Sequence, residues 1–265
     1  IRRLISAHPG VTYEGVGGSL PGRVDLTSNQ LVFAPNLGWG KRDLKTPLEK
    51  ALGLPVELEN AANACALAEL WSGRHPESIR NIIAVTVSEG IGVGMVLNGQ
   101  IVRGRNGLAG EFGHVVLLED GPLCKCGNHG CWEVCGSNSA AVRYYSEAVS
   151  RSAKPSLPSP AFEDILRLAE QGDQKAREAL DRMAHYLGAG LAMLMTALAP
   201  EVIVLIGEVT RAWDRFGGIV NGVLKGRLPT QPNTRIIPTD PSLQPPLMST
   251  IALVLQKHFR APSVA

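Results

Sequence analysis

The sequence predicts an α/β fold, and three stretches carry that expectation. Residues 81–102, NIIAVTVSEGIGVGMVLNGQIV, set two apolar runs about a Gly-rich turn and then close on Asn98-Gly99, a two-residue hairpin signal. Residues 58–73, LENAANACALAELWSG, offer Asn60 as an N-cap, an Ala-rich helix to about Ser72 and Gly73 as its stop. Residues 185–208, HYLGAGLAMLMTALAPEVIVLIGE, read as a helix ended by Pro200 and then a buried strand, the αβ half of an α/β unit.

The other elements follow in chain order. IRRL at the start is a single basic turn, expected as a solvated helix end. TYEGVGGSLPGRVD, residues 12–25, is a short strand running into Gly/Pro turns. LPTQPNTRIIPTDPSLQPP, residues 228–246, is Pro-rich and suits a loop or an edge segment. A last helix should run from about Leu247 to His258. No internal repeat or low-complexity tract interrupts this order.

Composition narrows the function. The chain has 265 residues, 45% hydrophobic, with formal charge +2, which suits a globular protein large enough for two lobes. No apolar run approaches the roughly 18 residues that cross a bilayer, and no signal peptide opens the sequence. No Lys/Arg block forms a nucleic-acid surface. Five cysteines, clustered and odd in number, suit a reduced cytosol, so the expected location is cytoplasmic.

Four of those cysteines fall in a dozen positions: Cys124-x-Cys126-x4-Cys131, with Cys135 just beyond. A redox dithiol usually reads Cys-x-x-Cys opening a helix, and that spacing is absent. Thiolates this close on a loop with Gly127 and Gly130 can converge on one ion. Closed structural zinc needs four N/S donors. Cys124, Cys126 and Cys131 supply three, and spacing leaves His114, His129 and Cys135 open as the fourth.

Beyond these residues lies a family resemblance. CKCGNHGCWE resembles the Cys-x-Cys-Gly-x-x-Gly-Cys-x-Glu signature of the ROK family of repressors and sugar kinases, and AGEFGHV matches the segment preceding it. APNLGW, LENAANACALAE, GIGVGMVLNGQIVRGRNGLAGE and APEVIVLIGE fall in the family's order, so the likeness covers nearly the whole chain. It implies the actin-like ATPase (ribonuclease H-like) fold, two α/β lobes with a sugar cleft between them. Residues 1–80 would form a partial first lobe, completed by 247–265, and residues 81–246 the second lobe with the zinc loop. It also implies His114 as the fourth zinc ligand beside Cys124, Cys126 and Cys131. His129 then becomes a loop residue and Cys135 a packing thiol.

Metal on one ring nitrogen of His114 would leave the other free to donate a hydrogen bond. Glu111 and Glu133 flank the ligands, and the resemblance makes Asn60, Glu111, His114 and Glu133 the contacts to sugar hydroxyls. Without it, both carboxylates would read as surface charge.

The family holds kinases and regulators. The kinases carry their general base in Glu-Asn-Asp-Ala-Asn, where this chain reads Glu59-Asn60-Ala61-Ala62-Asn63. Alanine accepts no proton, and losing a positioned base typically costs about 10²–10⁴ in rate. Glu89 is expected to set a carboxylate where phosphates would lie, and Ile206-Gly207 replaces a Gly-Gly pair near the adenosine. The family's opening Asp-x-Gly-Gly-Thr hairpin should lie before Ile1, so the first lobe is expected to be truncated at its N-terminus.

The expectation is therefore a regulator's sugar-sensing, oligomerising region without kinase activity, binding a sugar or sugar phosphate as a homodimer or homotetramer. DNA contact would come only through a helix-turn-helix absent here, and no membrane contact is expected. The rivals are an ATP-dependent hexose kinase with Asp25 or Asp43 as the base, and a zinc-stabilised scaffold that takes no ligand.

Overall fold

The computed structural model describes all residues except 26, 27, 29, 35, 36, 74, 77, 151–159, 229–232, 241, 243 and 259–265. Part of APNLGW and parts of the Pro-rich stretch therefore lie outside the described residues. After the exposed helix α1 (Arg2–Ala7), strand β1 (Val16–Leu20) pairs in parallel with β5 (Val56–Asn60), with Leu20 opposite Asn60. Between them come β2 (Arg23–Asp25), β3 (Gln30–Phe33) and β4 (Arg42–Asp43), an antiparallel sheet in that order, and helix α2 (Lys45–Leu52). Val24, Leu31 and Ala34 close onto Val56 and Leu58, which joins the two small sheets through one apolar cluster.

Helix α3 (Ala61–Ser72) begins where β5 ends, and Asn60 is its N-cap, as the sequence led one to expect. The hairpin is also present: β6 (Ile82–Val87), β7 (Ile91–Leu97) and the short β8 (Gln100–Ile101), turned by Asn98 and Gly99 at φ 53° and 75°. Helices α4 (Trp132–Gly136), α5 (Asn138–Ser150), α6 (Phe162–Glu170) and α7 (Gln174–Leu198) precede β9 (Val202–Ile206). Helix α8 (Trp213–Arg227), β10 (Arg235–Pro238) and α9 (Pro245–His258) complete the described chain.

The large sheet runs β10-β9-β6-β7-β8, with β9 parallel to both β6 and β10. It is buried on both faces, which is why its strands read as nearly continuous apolar runs. Ile83, Val85 and Val87 face a core shared with Leu187, Leu191 and Met195 of α7. Ile82 and Ala84 share the opposite cluster with Val202 and Val204 of β9 and with Cys65 and Ala66 of α3. The Pro-rich stretch supplies β10, an edge strand.

Two glycines fix how helices meet these sheets. A Cβ on Gly17 of β1 would lie 1.9 Å from the Thr250 carbonyl oxygen, so α9 lies backbone against backbone on the first sheet. A Cβ on Gly190 would lie 1.9 Å from Cε2 of Trp132, so the middle of α7 is the seat of that fully buried indole. The second half of helix α7 is apolar nearly all round, and Leu187, Leu191, Leu194 and Met195 there are buried in the chain's own core.

Candidate functional site

The cysteine loop leaves a short 3₁₀ turn, Glu111–His114, and returns at the start of α4. Two bridges, Val116 to Cys131 and Leu123 to His129, fold it back on itself. The donor atoms of His114, Cys124, Cys126 and Cys131 all lie within 4.8 Å of one another. His114 Nδ1 is 3.5 Å from Cys124 Sγ, and Cys126 Sγ is 3.6 Å from Cys131 Sγ. Tetrahedral zinc with Zn–S bonds of about 2.3 Å separates its sulfurs by roughly 3.8 Å, so these residues fit such an ion. None of the five thiols is in a disulfide. Burial pushes the Cys131 thiol up to about 12 and raises Cys124, so metal uptake would have to displace their protons.

The other candidate ligands have different work. His129 Nδ1 lies 3.1 Å from the Gly121 carbonyl and braces the loop. Cys135 is fully buried, points its sulfur at the Gly130 carbonyl, and has its thiol pushed up by burial. It packs rather than reacts.

Beside the cluster opens a cleft of about 540 Å³, and Asn60, Glu111, His114 and Glu133 all line it. Their positions come from distant parts of the chain: the start of α3, one face of the 3₁₀ turn and the first turn of α4. His114 Nε2 lies 3.8 Å from Glu111 Oε2, and the Glu111 side chain is half-exposed. Glu133 is partly committed, since its Oε2 accepts the Ile91 N–H at 3.0 Å. Asn60 is more so. Its Oδ1 accepts from the Ala62 and Asn63 amides, and its Nδ2 donates to the Gly22 carbonyl at 2.8 Å. One Nδ2 hydrogen remains for a ligand.

Ala61 lines the cleft as the first residue of α3. The two carboxylates that could have replaced a base there do not reach it. Asp25 is hydrogen-bonded to Ser28, Asp43 accepts the Thr46 amide at the start of α2, and neither lines the cleft. Glu89 also departs from expectation. It is exposed at the turn between β6 and β7, and only its neighbours Ser88 and Gly90 line the cleft. A different carboxylate is there instead: Glu208, which follows Gly207 and accepts from Asn138 Nδ2 at 3.0 Å. Sequence reasoning stopped one residue short of it.

Two further features were missed. Glu59 is buried and forms an ion pair with Arg103 at 2.7 Å, beside a small recess of about 50 Å³ that adjoins the cleft. Arg23, the first residue of β2, lines both the cleft and the recess. Its only signal in the sequence was a basic residue among the Gly/Pro turns.

A family model described as "ROK family" matches residues 1–256. The chain belongs to the ROK family. A glucokinase of Halalkalibacterium halodurans is 36% identical over 208 residues, 76% of this chain and 63% of that protein. The xylose repressor of Bacillus subtilis is 30% identical over 247 residues, 92% of this chain and 62% of the repressor. The chain thus spans less than two thirds of the length of either curated relative. The structure of a ROK family glucokinase from Streptomyces griseus in complex with glucose and AMPPNP superposes with a TM-score of 0.84 at 29% identity, covering 97% of this chain and 86% of that one. This ROK chain therefore has the actin-like ATPase fold. Its relatives include both kinases and repressors, and none of its described helices is long and apolar enough to cross a membrane.

Proposed function

We propose that this chain is the sugar-sensing and oligomerisation region of a ROK-family transcriptional regulator that has lost phosphoryl transfer. The observation that carries the reading is Ala61. It lines the cleft where the family's kinases hold a carboxylate base, and neither Asp25 nor Asp43 reaches that wall. General-base catalysis needs an acceptor within hydrogen-bond reach of the attacking hydroxyl, and a methyl group is none. Glu208 adds a carboxylate beside Gly207, on the side the resemblance gives to the nucleotide, and like charge there opposes a polyphosphate.

The sugar side keeps what hydroxyl recognition requires. Glu111, Glu133, Asn60 and the free nitrogen of His114 offer acceptors and donors around one cleft. Zinc held by His114, Cys124, Cys126 and Cys131 would supply rigidity, fixing the imidazole and the turn that carries Glu111. Packing of α9 on β1 and α3 supports a division in which residues 1–80 and the C-terminal helix form one lobe and residues 81–246 the other.

The second reading is an ATP-dependent hexose kinase, favoured by the 36% identity to a glucokinase. A coupled ADP-release assay across hexoses, amino sugars and pentoses separates the two. The regulator reading expects no sugar-dependent turnover, and turnover proportional to protein concentration contradicts it.

A further inference from the structure

We propose that Cys126 and Cys131 are an oxidisable pair whose entrance is the cleft, so that a ligand seated in the cleft shields the thiol cluster from peroxide. This deepens the zinc and sugar readings above and rests on both. Of the three clustered cysteines only Cys126 is exposed, and it lines the cleft, whereas Cys124 and Cys131 are buried. The two other thiols of the chain, Cys65 and Cys135, are buried as well. An oxidant that reacts with accessible thiolates therefore meets Cys126 first. The spacing is not that of a dithiol catalyst, but the fold supplies a partner all the same. Cys126 Sγ lies 3.6 Å from Cys131 Sγ, close enough for an exposed side chain to swing into bonding distance. Cys124 Sγ sits against His114 Nδ1 at 3.5 Å.

One hydroperoxide balances the chemistry. The Cys126 thiolate attacks a peroxide oxygen, the O–O bond breaks, and hydroxide leaves as the sulfenic acid forms. The Cys131 thiolate then attacks that sulfur, expels a second hydroxide and closes the disulfide. Two electrons pass from the sulfurs to the peroxide, and two protons from solvent turn the hydroxides into water. The cluster is left with His114 and Cys124, too few donors for a closed four-donor site. His114 then loses what fixed it, although its Nε2 and Glu111 Oε2, 3.8 Å apart, belong to the cleft. Shielding follows from the short distances. The donor atoms of Cys126 and His114 lie within 4.8 Å of each other, so a molecule that contacts His114 and Glu111 stands over the approach to Cys126.

The test treats the full chain, purified without chelator, with hydrogen peroxide. Metal release is followed with a chromogenic chelator, and the cysteines are mapped by peptide mass spectrometry. Release should keep pace with a Cys126–Cys131 disulfide while Cys65 and Cys135 stay reduced, and Cys135→Ser should change neither. Dithiothreitol with added zinc should restore the cluster and sugar binding. The reaction is repeated with glucose, mannose, N-acetylglucosamine and xylose, each also titrated calorimetrically. A sugar at about ten times its Kd should slow the oxidation roughly tenfold, since only the unoccupied fraction reacts. First oxidation at Cys65 or Cys135, a Cys124–Cys126 disulfide, or a sugar that binds but leaves the rate unchanged would each overturn the proposal while leaving the zinc and sugar readings. Protein that carries no metal as purified, or that binds none of the sugars, would remove the corresponding reading and the proposal with it.

Discussion

His114 turns Nδ1 toward the Cys124 sulfur at 3.5 Å and leaves Nε2 3.8 Å from the Glu111 carboxylate. One imidazole therefore connects the thiol cluster to the wall of the cleft. Whatever holds the first nitrogen sets the direction of the second.

That connection predicts the metal content. Protein purified without chelator should carry about one zinc per chain by elemental analysis. Cys131→Ala should lose the metal and the sugar together, since its sulfur is one of the four clustered donors. His129→Ala and Cys135→Ala should keep the zinc, because those groups face the Gly121 and Gly130 carbonyls. Fully folded protein with no metal would refute the closed site.

Glu133 separates recognition from scaffolding. Its Oε2 holds the Ile91 amide, so Glu133→Ala should lower stability by about 1.5–3 kcal/mol, the scale of a hydrogen bond to a charged acceptor. It should also weaken sugar binding roughly tenfold or more by leaving neighbouring cleft groups unpaired, with zinc content unchanged. Unaltered sugar affinity would show that Glu133 serves only the β7 backbone.

Gly190→Ala tests the seat of Trp132. The added methyl has no room beside the indole, and overpacking of this kind costs about 1–3 kcal/mol. A melting temperature equal to wild type would contradict the close contact.

Glu201 gives a pH prediction. Its carboxylate accepts from the Arg80 and Asn81 amides and from Asn81 Nδ2, at 2.9, 2.9 and 3.1 Å, and these bonds hold its pKa below the usual 4.5. A lowered folded-state pKa contributes stability that is present above 4.5 and lost as pH falls through the folded value. Glu201→Gln should therefore melt below wild type at pH 7, with the gap closing in acid. A gap of the same size at every pH would show that the charge plays no part.

Local chemistry made much of this legible in advance. Asn60 and Gly73 bounded α3 because a side-chain cap and a helix stop act within a few residues. Asn98-Gly99 announced its turn because both residues tolerate positive φ. The His/Cys cluster was readable because its cysteines are close in sequence. Arg23 and Glu208 were not, since their importance arises only when β1, β5 and the end of β9 converge on one cleft. Glu89 misled for the opposite reason: its position in the turn was clear, but its exposure depends on the tertiary fold.

The most direct single measurement is calorimetric titration of a hexose, amino-sugar and pentose panel, free and 6-phosphorylated, with magnesium and ATP present in the cell. A sensor without phosphoryl transfer predicts saturable binding heats for at least one sugar, with the baseline returning after each injection. A sustained baseline displacement that scales with protein concentration would mean turnover, and would contradict the regulator reading outright.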